Sequence, residues 1–193
     1  MSSLPHFPPA GAFSGTEARP DAGAPAHPLL RLAWLAIREQ LDRRDPRRLL
    51  DALARPSLPQ ACFVSLKLGG RLRGCIGTIL PVHPSLEAEI VANAIASSQR
   101  DPRFPPVTRA ELERIRVSVD VLSLPEDIPS ASLLDPRRYG VIVSSGARSG
   151  VLLPDLPGVD TPARQIAICR DKGDIPPDAP IALQRFTVER IGS

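Results

Sequence analysis

The amino-acid sequence predicts an α+β fold, because its strand patterns are gathered into hairpins separated by helical segments, not alternated strand by helix. With 193 residues and no internal repeat, the chain is long enough to bury a core without disulfides or a structural metal. Two glycine-marked turns, at Gly69-Gly70 and around Gly146 to Gly150, lie between apolar runs of strand length and supply the hairpins.

Residues 1 to 27 carry Pro5, Pro8, Pro9, Pro20 and Pro25 among Gly, Ala and Ser, with no sustained period. Such a stretch buries too little apolar surface to offset ordering, so a disordered tail is expected there and the folded domain over 28 to 193. His6 and His27, in the tail or at its edge, are read as solvated. From Pro28 onward, Leu29, Leu32, Ala33, Leu35, Ala36 and Leu41 recur at the spacing of a helix that buries one face, with Trp34 at its margin. Asp45-Pro46 forms an N-cap and N1 pair and predicts a short helix through Leu49, Leu50 and Leu53. Cys62 to Leu68 and Arg71 to Ile76 flank the two-residue turn Gly69-Gly70, of type I′ or II′. A regular register then sets Leu66 opposite Arg73 and Val64 opposite Cys75.

Pro84-Ser85 opens a helix through Leu86, Ile90, Val91, Ala94 and Ile95, whose small residues favour close packing on the sheet. Pro102 and Pro105 end it and force an irregular segment from Asp101 to Val107. Thr108 and Glu111 have the spacing of a capping box. Ile115, Val117, Val119 and Val121 alternate with Arg116, Ser118 and Asp120, the period of a half-buried strand. A second hairpin follows from Tyr139 to Ser144 and Val151 to Leu153. Thr161-Pro162 begins a late helix with Ile166, Ile168 and Cys169, which Gly173 ends. In the last strand, Ile181 to Ile191, the phase of Ile181 and Leu183 differs from that of Phe186 and Val188, and a bulge near Gln184-Arg185 would reconcile them.

Composition narrows the function classes. The net charge of +3 is small, and 22 of the 24 basic residues are arginine, Lys67 and Lys172 being the only lysines. Seven aromatic residues offer little for base stacking, so a solvated, ion-paired surface fits better than a nucleic-acid interface. Three cysteines at wide spacing, Cys62, Cys75 and Cys169, with no signal-like apolar run near the start, point to a reducing cytoplasm. No run approaches the roughly eighteen apolar residues of a membrane span, and a soluble protein without membrane attachment is expected.

The most site-like stretch is Arg73-Gly74-Cys75-Ile76-Gly77-Thr78, which places a thiol between two glycines at the end of a strand. A guanidinium such as that of Arg73, with glycine amides nearby, favours the thiolate, the nucleophilic form. The alternative stays open that Cys75 is a small buried hydrophobe opposite Val64. His83, the only histidine outside the tail, offers a weak base for a cysteine dyad. Cys62, Cys75 and His83 lack the paired spacing of a zinc site, and Cys62 and Cys169 read as core residues. The second constellation is Asp101-Pro102-Arg103-Phe104-Pro105-Pro106, a stiff segment able to hold Asp101 and Arg103 in place with Phe104 as its anchor. A structural role, with Asp101 capping, Arg103 ion-paired and Phe104 filling a gap, is equally open. Asn93, within a helix, either braces one of these loops or faces solvent.

Phe63 to Lys67, Leu72 to Thr78, Asn93-Ala94 and Asp101 to Val107, followed by Val117 to Leu122, Gly150 to Pro154, Ile168-Cys169 and Lys172-Gly173, resemble the AMMECR domain family in order and spacing over about residues 29 to 191. The family takes its name from the Alport syndrome, midface hypoplasia and elliptocytosis chromosomal region. The resemblance implies a mainly antiparallel sheet flanked by helices, with a smaller subdomain. It implies no established reaction, and neither substrate nor cofactor follows from the sequence. Bacterial members accompany, or are fused to, Memo-like and radical-SAM proteins, as protein A of the AmmeMemoRadiSam system, so such proteins are the implied partners. Ser97-Ser98 replaces the family's usual alanine pair, and Ser118 stands where a strand acid is often found.

Three functions follow as expectations: a small cytoplasmic enzyme or catalytic accessory with both motifs in one cleft that takes a small molecule, a noncatalytic module that binds a protein partner, and nucleic-acid binding.

Overall fold

The computed structural model describes residues 24–192, so the predicted tail lies outside the described residues except for 24–27. Helix α1 spans Pro28–Leu41, with Pro28 at its first turn and the His27 ring nitrogen accepting the Leu29 N–H at 3.3 Å. Trp34 is not marginal: it is 3% exposed, and its indole N–H donates to Leu112 O at 3.2 Å. The buried face of α1 is wider than one stripe because the helix packs against the helices at Leu86–Gln99 and Arg109–Leu112. Helix α2 is a single turn, Arg48–Asp51, shorter than predicted. The Asp45 carboxylate does not cap it but turns on the Arg47 N–H and guanidinium.

Strands β1 (Cys62–Leu68) and β2 (Arg71–Gly77) form the predicted hairpin. Gly69 and Gly70 have φ of +59° and +80°, the left-handed pair that a type I′ turn requires. The register differs from the regular one: Lys67 pairs with Leu72, but Leu66 pairs with Gly74 and Ser65 with Cys75. Arg73 is therefore the extra residue of a bulge, and counting from the turn without it misplaces every later pair by one. Helix α3 (Leu86–Gln99), capped by Ser85, lies on this hairpin. A side chain at Gly74 would meet Ser97 O at 2.2 Å, so the glycine is what lets strand and helix backbones approach.

Helix α4 (Arg109–Leu112) carries the predicted Thr108–Glu111 capping box, and β3 (Ile115–Leu122) follows with alternating burial at its start. The remaining elements are β4 (Glu126–Ile128), a 3-10 turn over Ala131–Leu133, β5 (Gly140–Ser145), β6 (Arg148–Leu152), α5 (Pro162–Lys172), β7 (Ala182–Phe186) and β8 (Val188–Ile191). The strands form two sheets, ordered β2-β1-β3-β8 and β4-β7-β5-β6, and the fold is α+β.

The described residues divide into two compact units, residues 24–119 with 191–192, and Asp120–Arg190. In the second, Ile128, Leu134, Val141, Val143, Leu152 and Cys169 form a core under α5. A Cβ on Gly150 would lie 1.8 Å from Cys169 O, which explains a glycine inside β6. The predicted bulged last strand is instead two strands in different sheets. Thr187 separates them by exchanging hydrogen bonds with Ser123, donating its N–H to Ser123 Oγ and accepting the Ser123 N–H, both at 3.0 Å. The phase change marked a change of sheet. No helix among the described residues is long and apolar enough to cross a membrane.

Candidate functional site

The site lies in the first unit, where β2 is an edge strand. Thr78 N–H donates to Cys62 O at 3.1 Å, which fixes the phase of the ladder. Alternation along an antiparallel pair then turns the N–H and C=O of Cys75 and Gly77 away from β1, toward the open edge. At Cys75 the chain closes this edge with side chains. Asp101 Oδ2 accepts the Cys75 N–H at 2.8 Å, and Arg103 Nη2 donates to Cys75 O at 3.0 Å. Arg103 also holds Asp101 through Nε at 2.9 Å and Nη2 at 2.7 Å, and its own N–H donates to Asp101 Oδ1 at 3.1 Å. The two predicted constellations therefore meet around one residue, with Asp101 and Arg103 standing in for a missing strand.

Cys62, Val64 and Leu66 are buried, whereas Phe63, Ser65, Lys67 and Cys75 are half-buried on the other side of the hairpin. The Cys75 thiol thus faces Ser65, not Val64, and Ser65 Oγ donates to Cys75 Sγ at 3.2 Å. The guanidinium beside Cys75 belongs to Arg103, not Arg73. Hydrogen bonding to Asp101 raises the Arg103 pKa above its ordinary value, and its contact with Cys75 adds to this. Hydrogen bonds from Arg103, aided by the Cys75 N–H, hold the Asp101 carboxyl well below the usual carboxylate range against the effect of its burial.

Arg73 is committed elsewhere. As the bulge residue it reaches the Asp101–Val107 segment, donating to Glu111 through Nε at 2.8 Å, to Pro105 O at 2.8 Å and to Pro106 O at 3.2 Å. Phe104 is half-exposed under the Arg103 guanidinium, 5.6 Å from ring centre to Cζ, so it is not the loop's anchor. That role falls to the buried Val107, whose N–H donates to Ser98 O at 2.8 Å. Asn93 is 5% exposed, not solvated, and donates to Cys62 O at 3.0 Å. Gly77 packs beneath the Phe63 ring, where any Cβ would lie 2.3 Å from it. Thr78 Oγ1 donates to Glu89 at 2.6 Å.

Sequence reasoning missed Glu89, Glu87, Ser65 and the pairing of Glu111 with Arg73. Glu89 is 0% exposed and accepts from Thr78 Oγ1, the Val82 N–H at 2.9 Å and the His83 N–H at 2.8 Å. Glu87 similarly holds Ser57 through its N–H and hydroxyl. A signal was present: two acids in the first turn of a mostly apolar helix, with Val91 and Asn93 four residues on and no base, must find partners outside the helix. Among the described residues no group of three His, Cys, Asp or Glu is placed to hold a metal ion.

The Arg73–Glu111 pair gives an acid-stability prediction. The Arg73 guanidinium, with help from Thr108, lowers the Glu111 carboxyl from 4.5 to about 2 against the effect of burial. A carboxyl lowered on folding stabilises the fold fully above its unfolded pKa and ceases to do so as pH falls through its folded one. Stability should therefore fall between about pH 4.5 and about pH 2, and Glu111→Gln should flatten that part of the curve. Urea midpoints read from Trp34 fluorescence across this range test it, and an unchanged slope in the variant would contradict it.

Comparison with known proteins places the chain in a family. The AMMECR1 family model matches residues 30–191. A Thermotoga maritima protein is 55% identical over 130 residues, covering 66% of this chain and 75% of the relative. A Clostridium acetobutylicum protein is 47% identical over 133 residues, covering 69% of this chain but 28% of the relative. The crystal structure of an uncharacterised Pyrococcus horikoshii protein superposes with a TM-score of 0.75 at 32% identity, covering 84% of this chain and 88% of that one. Similarity therefore reaches both bacterial and archaeal proteins, and the chain belongs to the AMMECR1 family.

Proposed function

We propose that this domain is a small enzyme, or the catalytic accessory of a larger one, that works through the Cys75 thiol as a nucleophile. The Arg73 to Thr78 strand and the Asp101 to Pro106 segment together form its site. The observation that carries this reading is the setting of the thiol. Of the three free cysteines Cys75 alone is not buried, and it lies between the Ser65 hydroxyl and the Arg103 guanidinium with its own backbone tied down. The hydroxyl donor on the sulfur and the cation beside it are groups that can hold a substrate at a nucleophile, and a fixed backbone removes the freedom that would blur its aim. Gly74, Gly77, Thr78 and Asn93 support that strand, Arg73 and Phe104 support the facing segment, and Arg103 and Asp101 bind at the reacting end. Three free thiols suit a reducing compartment, and we assign the protein to the cytoplasm.

Native protein treated with limiting iodoacetamide and mapped by mass spectrometry tests the assignment. Cys75 should label at least ~10-fold faster than Cys62 or Cys169, since burial blocks both and pushes the Cys169 thiol up to about 11. Equal labelling would remove the nucleophile. A partner-binding module that acts with Memo-like and radical-SAM proteins is the second reading. It is favoured by the Clostridium relative, in which the matched region is 28% of a longer protein.

A further inference from the structure

We infer that the Cys75 site takes a small electrophile carrying a carboxylate or similar anion next to its reacting carbon, a reading that rests on Cys75 being the nucleophile. Two cations carry it. Arg103 is 54% exposed; its Nε and Nη2 are taken by Asp101 and Cys75 O, but no oxygen among the described residues accepts from its Nη1. The outer edge of a guanidinium beside the thiol is thus free to bind an anion. Lys67 is the second. It follows Ser65 by two residues on β1, so both side chains leave the same face of the hairpin, the face that carries Cys75.

Lys67 has no carboxylate partner among the described residues, whereas the neighbouring acids are used up: Asp101 on Arg103 and Glu111 on Arg73. The cluster therefore has one cation in excess, with the Ser65 hydroxyl on the sulfur and Lys67 two residues further along the same strand face. In the reaction that this arrangement suits, the thiol proton leaves to water and the sulfur forms a bond to the electrophilic carbon. The bond from that carbon to its leaving group breaks, and the leaving group departs with the electron pair.

Iodoacetate and iodoacetamide, nearly isosteric and differing by one charge, test this directly. Second-order rates at Cys75 are measured by mass spectrometry for the native full chain and for the same chain in urea, where the fold contributes nothing. The ratio of the iodoacetate rate to the iodoacetamide rate should be roughly fivefold higher in the native protein, the size expected for a charge about 7 Å away at intermediate dielectric. Lys67→Gln should bring the ratio down toward the unfolded value, and Lys67→Arg should restore it. A native ratio at or below the unfolded one, or a ratio unmoved by Lys67→Gln, overturns the anion assignment while the nucleophile stands. A Cys75 inert to both reagents overturns both.

Discussion

Replacing Asp101 by alanine is expected to destabilise the first unit by about 3 kcal/mol, the sum of a stranded edge-strand amide and lost charge-assisted hydrogen bonds. Asp101 accepts four hydrogen bonds, from the Cys75 N–H and from three Arg103 nitrogens, with its side chain 2% exposed. Its partner Arg103 is 54% exposed, so removing the carboxylate strands no buried charge, and the cost falls on the backbone it held. Trp34, the only tryptophan, is buried in this unit and reports its unfolding. Urea titrations followed by its fluorescence should show the loss, and Asp101→Asn, which keeps one acceptor, should lose about half as much. A loss under ~1 kcal/mol for the alanine variant would mean that the edge is held by something else.

Glu89→Ala should be the most damaging substitution on α3, at about 3–5 kcal/mol, because the turn from Thr78 to His83 hangs on that carboxylate and would leave three donors without acceptors. Glu89→Gln separates hydrogen bonding from charge. Its carbonyl oxygen can take the Val82 and His83 amides while its NH₂ donates to Thr78 Oγ1, so a loss of about 1–2 kcal/mol is expected. The same fluorescence-monitored titration decides. Equal losses for the two variants would show that the negative charge near the helix N-terminus, not the hydrogen bonding, matters.

What the sequence made legible follows from where its signals are local. The Gly69-Gly70 turn, the Ser85 cap, the Thr108–Glu111 capping box and the Thr161-Pro162 start each depend on residues within a few positions, and each appears as read. The Arg73 bulge is set by contacts 32 to 38 residues away, with Pro105, Pro106 and Glu111, and no turn-based count can see it. That one residue moved Cys75 from a predicted place opposite Val64 to one opposite Ser65. That the two motifs come together is legible from chain economy, since one helix returns the hairpin to the Asp101 segment. Which arginine reaches the thiol is not, because Arg73 and Arg103 differ only in the tertiary partners that claim them. Three-residue β4 carried no periodic signal, and the split of the last strand looked like a bulge because both produce the same change of phase.

The clamp on Cys75 is the feature on which the proposed thiol reactivity and the proposed anion preference both rest, and amide hydrogen exchange reads it at single-residue resolution. Cys75 and Gly77 both point their N–H groups to the same open edge of β2, but among the described residues only the Cys75 amide has an acceptor, Asp101 Oδ2 at 2.8 Å. In ¹⁵N-labelled protein the Cys75 amide should exchange at least ~10-fold more slowly than that of Gly77, and Asp101→Ala should bring the two together. A Cys75 amide that exchanges as fast as that of Gly77 in the unmodified chain would contradict the clamp.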